Sequence, residues 1–395
     1  MNNEWIEPKI IIGKDATGSF YYQRNEIENE IWQEIQKGNN ILIAAPRRVG
    51  KTSVMKNLVE NKKEGYKLIF RNVQGIDNEE NFYKEIYELI IKCLSIFKTS
   101  REIIESYFKK NKITEISWSG GIKIDCDKIN YLEEINHIIP MLDKNGETVV
   151  LLIDELPEVL HNLHKKGQND VAKNINKNLR HWRQESGYEK LQFVLAGSIG
   201  IHYVVNLIEG RSSDINDLNK IYYKPLDDEK GEVNDYIDWV TKEATIKYDD
   251  KLKQHLKSKI QYFVPYFINL MLNEIDKKAF KNSNSKITNA EIDAAFESII
   301  RNNHFEDWKK RLSDYMPAID FKFVNDVLKH IAHKNQITIQ EIYDKAIKFE
   351  KEDDYMSFIK DLKQDGYLVE NDGKYIFISP FLKEFWKLDN PIYNG

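Results

Sequence analysis

The sequence predicts an α/β fold on a parallel sheet, followed by an all-α segment and a small domain of three helices and a hairpin. Three observations predict it. The run Ile41-Leu42-Ile43-Ala44-Ala45-Pro46-Arg47-Arg48-Val49-Gly50-Lys51-Thr52-Ser53 joins a short apolar strand to a helix through a phosphate-binding loop. Two continuous apolar runs, Thr148–Ile153 and Leu191–Ala196, have the β-branched and leucine content of strands buried on both faces. Beyond Pro225-Leu226 helical periodicity continues without intervening strands.

In the loop, successive backbone N–H groups point at the α- and β-phosphates of a nucleotide, Lys51 reaches the β/γ-phosphates, and the Thr52 hydroxyl can ligate Mg²⁺. The helix from Thr52 to about Asn61 turns its positive dipole end toward the anion. The first motif position holds Ala45, so the backbone there is one that an alanine tolerates. Gly50 keeps the second glycine.

Upstream, Ile27, Ile31 and Ile35 recur four apart in a helix over Asn25–Gln36, stopped by Gly38. Downstream, a strand is expected at Lys67–Val73 and a helix at Glu79–Phe97. A lysine-rich stretch follows and reads as an insertion over about 98–135, with Ile113–Trp118 and Gly121–Ile124 resembling a small hairpin. A helix over Asp170–Glu185 separates the two apolar strands, which completes a doubly wound core over 1–225. Helices are expected next at Asp227–Glu243, Asp249–Gln261, Pro265–Phe280 and Asn289–Asn302, a helical domain over 226–312. From 313 to 395, helices at Asp320–His333, Ile339–Phe349 and Asp353–Gln364 precede strands Tyr367–Glu370 and Lys374–Ile378 about the turn Asn371-Asp372-Gly373. That order describes a winged helix.

The 395 residues exceed one ordinary core and suit two or three domains. With Lys+Arg 58 against Asp+Glu 63, the net charge of -5 excludes a global positive field that recruits nucleic acid or an anionic membrane. Cys93 and Cys126 lack partners at metal-ligand spacing and read as buried small hydrophobes in a reducing compartment. The start Met1-Asn2-Asn3-Glu4-Trp5 lacks a signal-peptide layout, and no apolar stretch approaches the roughly 18 residues of a membrane span. A cytoplasmic protein without membrane contact is expected.

Asp154 and Glu155 close the first apolar run, where a parallel sheet presents ligands. A carboxylate at Asp154 can hold Mg²⁺ through its water shell, and Glu155 beside it can polarise a water for in-line attack on the γ-phosphate. The competing reading makes the pair a favourable charge at a helix start. Ser198 ends the neighbouring strand and is either a γ-phosphate contact or a helix cap. Arg180, Arg183 and above all Arg211 are candidates for transition-state charge stabilisation, against surface or packing roles. Arg47 and Arg48 can touch phosphate or pair with acidic neighbours, and Arg24 is either near the nucleotide or in a helix-start salt bridge.

Taken together, Tyr22-Gln23-Arg24-Asn25-Glu26, the loop from Ala45 to Ser53, Leu151-Leu152-Ile153-Asp154-Glu155, Leu195-Ala196-Gly197-Ser198 and Phe377-Ile378-Ser379-Pro380-Phe381-Leu382 resemble the archaeal-type ATPase family. That family is similar to the signal-transduction ATPases with numerous domains and lies near the AAA+ and origin-recognition ATPases. The resemblance spans nearly the whole chain. It implies an α/β P-loop parallel sheet of the AAA+-like kind, an all-α lid over about Asp227–Arg311 and a C-terminal winged helix, with ATP and Mg²⁺ as cofactors. It also implies that Pro265 is the lid proline that packs on the base, although the usual glycine two residues earlier is Phe263 and the one before Arg24 is Gln23.

Three functions compete. One is an ATP-hydrolysing switch whose lid and winged helix couple nucleotide state to a protein partner or to self-association. A second is ATP-dependent loading onto double-stranded DNA, but the would-be recognition helix sets Asp353, Asp354 and Asp361 against Lys360 and Lys363, a balance ill suited to phosphate contact. The third is a sensor that binds ATP tightly with negligible turnover.

Overall fold

The computed structural model describes residues 5–95, 129–197, 201–210, 215–302 and 304–393. The expected hairpin over 113–124, most of the insertion, Cys126, Ser198 and Arg211 lie outside the described residues. Two compact units share the chain: Gln23–Ala44 with Lys51–Tyr222, and Met1–Tyr22 with Ala45–Gly50 and Tyr223–Gly395.

The first unit is a five-stranded sheet with flanking helices. Helix α1 (Asn25–Gln36) buries Ile31, Trp32 and Ile35, and Gly38 turns the chain at φ 84°, a left-handed conformation that suits glycine. Strand β1 (Ile41–Ala44), helix α2 (Lys51–Glu60), strand β2 (Tyr66–Asn72) and helix α3 (Glu79–Ser95) follow. Cys93 on α3 is buried, and burial pushes its thiol up to about 12. Helix α4 (Tyr131–Ile138) leads through a short 3-10 turn into strand β3 (Thr148–Asp154), after which come α5 (Leu156–Lys165), α6 (Asn169–Gln184), β4 (Leu191–Ala196), α7 (Ile201–Glu209) and β5 (Asn219–Tyr222).

The strand order is β2-β3-β4-β1-β5, and every pairing is parallel. Strand β4 therefore stands between the phosphate-loop strand and the strand that ends in Asp154. Residues 149–154 of β3 and all of β4 are buried, which explains their largely apolar sequence; the buried Gln192 of β4 donates to Ile35 O at 3.1 Å. Strand β5 went unassigned in the sequence: of its four residues only Ile221 is buried. An edge strand with one apolar anchor is set by its pairing with β1 and leaves no local period.

The second unit is mainly helical. Its elements are α8 (Glu232–Thr241), α9 (Asp250–Ile260), α10 (Pro265–Lys281), α11 (Asn289–Arg301), α12 (Glu306–Tyr315), α13 (Ala318–Lys334), β6 (Ile337–Thr338), α14 (Ile339–Lys348), α15 (Tyr355–Gln364), β7 (Leu368–Asn371), β8 (Lys374–Phe377) and α16 (Pro380–Asp389). The helix expected from Asp227 starts at Glu232, because the Asp227 carboxylate accepts from the N–H groups of Glu229 and Lys230 and Gly231 is left-handed at φ 82°. Helices α12 and α16 and strand β6 were also not expected. In α12 only Trp308 and Leu312 are buried, too sparse a stripe to stand out among charges.

Strands β6, β8 and β7 form an antiparallel sheet in that order. An aromatic core joins these elements to the preceding helices: Phe381 of α16 lies 5.3 Å from Phe267 of α10 and 5.5 Å from Phe305, and Tyr367 lies 5.3 Å from Trp308 and 6.0 Å from Trp386 between ring centres. The helical segment and the C-terminal sheet thus share one hydrophobic core.

Candidate active site

Strand β1 is buried and ends where the loop 45–50 begins, and α2 starts directly at Lys51. The left-handed residues of the loop are Arg48 at φ 63° and Gly50 at φ 107°. Ala45 is not among the positive-φ residues, so alanine in place of the motif's first glycine carries no backbone penalty. Gly50 is needed for its φ, which disfavours any side chain; a Cβ there would make only an ordinary contact, 3.4 Å from Tyr223 Oη. Left-handed turns of this kind direct consecutive N–H groups into a concavity suited to phosphate. Holding the non-glycine Arg48 left-handed costs on the order of 1–3 kcal/mol, a strain kept only where surrounding contacts fix it.

Lys51 is buried at the first position of α2, as is Ser53. Between them, Thr52 Oγ1 donates to Asp154 Oδ2 at 2.5 Å. The other Asp154 oxygen accepts from the Glu155 N–H at 3.0 Å, and Asp154 O accepts from the Val73 N–H at 3.0 Å. Only 1% of Asp154 is exposed, and burial raises its carboxyl pKa, partly offset by the Thr52 hydrogen bond and reinforced by Glu155. A carboxylate whose charge is penalised by burial, tied to a hydroxyl at a strand end, fits one hydrated Mg²⁺ shared with phosphate oxygens. Among the described residues no cluster of three or more His, Cys, Asp or Glu forms a self-sufficient metal cage.

Glu155 precedes α5 with φ 63° and makes no side-chain cap bond. It stands at the start of that helix, where a carboxylate also favours the helix dipole, and its left-handed backbone costs on the order of 1–3 kcal/mol. Arg24 starts α1: its backbone N–H donates to Glu28 Oε1 at 3.1 Å, and the second Glu28 oxygen accepts from Asn57 of α2. Pro265 is the first residue of α10, preorganised for a helix start, and is half-buried.

The loop arginines make contacts within the second unit. The Arg48 guanidinium lies 4.1 Å from the centre of the Tyr266 ring and 3.5 Å from Asp307 Oδ2, while Arg47 Nη1 donates to Asp307 O at 3.4 Å. Burial, and next the charge of Arg311, lowers the Arg47 pKa. Of the other arginines, Arg183 is bound bidentately to Asp217 at 2.6 and 2.9 Å with its side chain 1% exposed, a packing role. Arg180 donates to Gln184 one turn along α6. Tyr266 and Asp307 were missed in the sequence because their role depends on the fold bringing α10 and α12 to the loop.

Residues 13–314 match the AAA-like domain family, and the chain belongs to it. No curated protein matches significantly. In fold, the chain is similar to the Walker-type ATPase of Pyrococcus abyssi, with a TM-score of 0.58 at 15% identity over 94% of this chain and 98% of that one. It is also similar to the ORC2 protein of Aeropyrum pernix in ADPNP-ADP complexes, with a TM-score of 0.52 at 11% identity over 93% and 92% of the two chains.

Proposed function

We propose that the chain is an ATP-binding and ATP-hydrolysing switch whose nucleotide state is passed to a partner protein through the helical segment, acting as a lid, and a C-terminal winged helix. The hydrogen bond from Thr52 to a buried Asp154 carries the reading, because it sets a hydroxyl and a carboxylate together at the start of a phosphate-loop helix. Backbone N–H groups of 47–50, with Lys51 and Ser53, would hold the phosphates, and Thr52 and Asp154 would hold Mg²⁺, which would supply charge neutralisation at the phosphate oxygens. Glu155 would take a proton from the attacking water. Ser198, Arg211, Arg24 and Pro265 complete the proposed set, the first two as γ-phosphate and transition-state contacts and the last two toward the base.

The surface of 313–395 favours protein over DNA as the partner. Ile347 is 51% exposed and Met356 46%, with Ile339 and Tyr343 also exposed. Lys363 of α15 is spent on Glu370 at 2.8 Å, and the approach to α15 is acidic through Asp353 and Asp354. Equilibrium binding of a fluorescent ATP analogue tests the nucleotide reading. Mg²⁺-dependent binding that Lys51→Ala weakens at least tenfold is expected; binding indifferent to Lys51→Ala and to Mg²⁺ contradicts it.

A further inference from the structure

Pro46, Arg47 and Arg48 occupy loop positions whose backbone, on the reading above, serves phosphate. Their side chains meet three elements of the second unit. Arg48 stacks 4.1 Å from the Tyr266 ring centre at the start of α10 and reaches Asp307 Oδ2 at 3.5 Å in the first turn of α12. Arg47 donates to Asp307 O, and the next carbonyl, Trp308 O, accepts from Tyr367 Oη at 2.8 Å. Tyr367 follows Gly366 in the turn between α15 and β7, and a Cβ on Gly366, whose φ is 79°, would fall 2.7 Å from Pro46 Cβ. That turn is thus seated directly on the loop.

Glycine would take the bend at position 48 without strain, yet an arginine stands there. The Asp307 carboxylate is 66% exposed, so the ion pair alone contributes little. The added aromatic stacking fixes the guanidinium and, through it, the bend. We propose that Arg48 is a positioning residue, a latch seated on Tyr266 and Asp307 that ties the phosphate loop to α12 and the Gly366 turn, so that phosphate binding is transmitted to the C-terminal helices and sheet. The inference rests on the nucleotide reading. Coupling of this kind is reciprocal: if nucleotide favours the seated turn, the seated turn favours nucleotide by the same factor.

Hydrogen exchange on the full chain, with and without a non-hydrolysable ATP analogue and Mg²⁺, tests it. In the unmodified protein the analogue is expected to slow exchange over 45–60 and also over 306–315 and 365–371. Asp307→Asn combined with Tyr266→Leu is expected to keep the protection of 45–60 and lose it at the two distant segments. Tyr266→Leu alone, which removes the stacking that fixes the guanidinium, gives the same loss in lesser degree and decides the matter if the double variant fails to fold. From the other side, Gly366→Ala should weaken the analogue at least about fivefold. Distant protection that persists in the double variant and in Tyr266→Leu overturns the latch, as does loss confined to 45–60. An unmodified chain protected only at 45–60 sinks the latch and spares the nucleotide reading; one protected nowhere sinks both.

Discussion

Asp154 is a residue whose burial works against the bare fold. Its pKa is raised chiefly by burial, so the unfolded chain loses this proton near the ordinary carboxyl value of about 4 while the folded chain holds it to higher pH. Its contribution to stability is therefore fully present below about pH 4 and is lost as pH rises through the folded value. Asp154→Asn removes that titration and keeps one acceptor for Thr52. The variant without nucleotide is expected to gain melting temperature relative to the parent as pH goes from 4.5 to 7.5, while losing Mg²⁺-dependent analogue binding. A relative loss over the same range, followed by thermal unfolding, contradicts the assignment. Arg183 makes the opposite case, a buried charge already matched by Asp217. Asp217→Ala removes the bidentate carboxylate partner of that buried guanidinium and should cost about 3–5 kcal/mol in denaturant unfolding.

Among the elements, those whose sequence declares a local pattern were legible and those fixed by distant pairing were not. Helix α1 coincides with its expected bounds because Ile31 and Ile35 are wholly buried and Gly38 ends it. The loop, β1 and α2 were legible because phosphate-loop chemistry restricts residue types at fixed spacing. Strands β5 and β6, four and two residues long, carry too little periodicity to announce themselves. Within the site, the pairing of Thr52 with Asp154 was foreseeable from motif logic, since both were assigned to one cation. The contacts of Arg48 with Tyr266 and Asp307 join positions more than 200 residues apart, and no local signal marks them. At this scale the aromatic core is the most sensitive point. Phe381 is fully buried and touches Phe267, Phe296 and Phe305. Phe381→Ala should destabilise the second unit by about 3–5 kcal/mol, read as a lowered denaturation midpoint.

For the molecule as a whole, the chain crosses between its two units at the phosphate loop: β1 and α2 belong to the sheet unit, whereas 45–50 group with the helices. No helix among the described residues is long and apolar enough to cross a membrane. The central claim is hydrolysis that depends on Glu155, and steady-state ATP turnover by the parent and Glu155→Gln, with and without duplex DNA at low salt, tests it most directly. Turnover that ignores DNA and falls about 10²–10⁴-fold in the variant, with analogue binding retained, is the expected result. Equal turnover in the two proteins would contradict it, and stimulation of the parent by DNA would move the partner from protein to duplex.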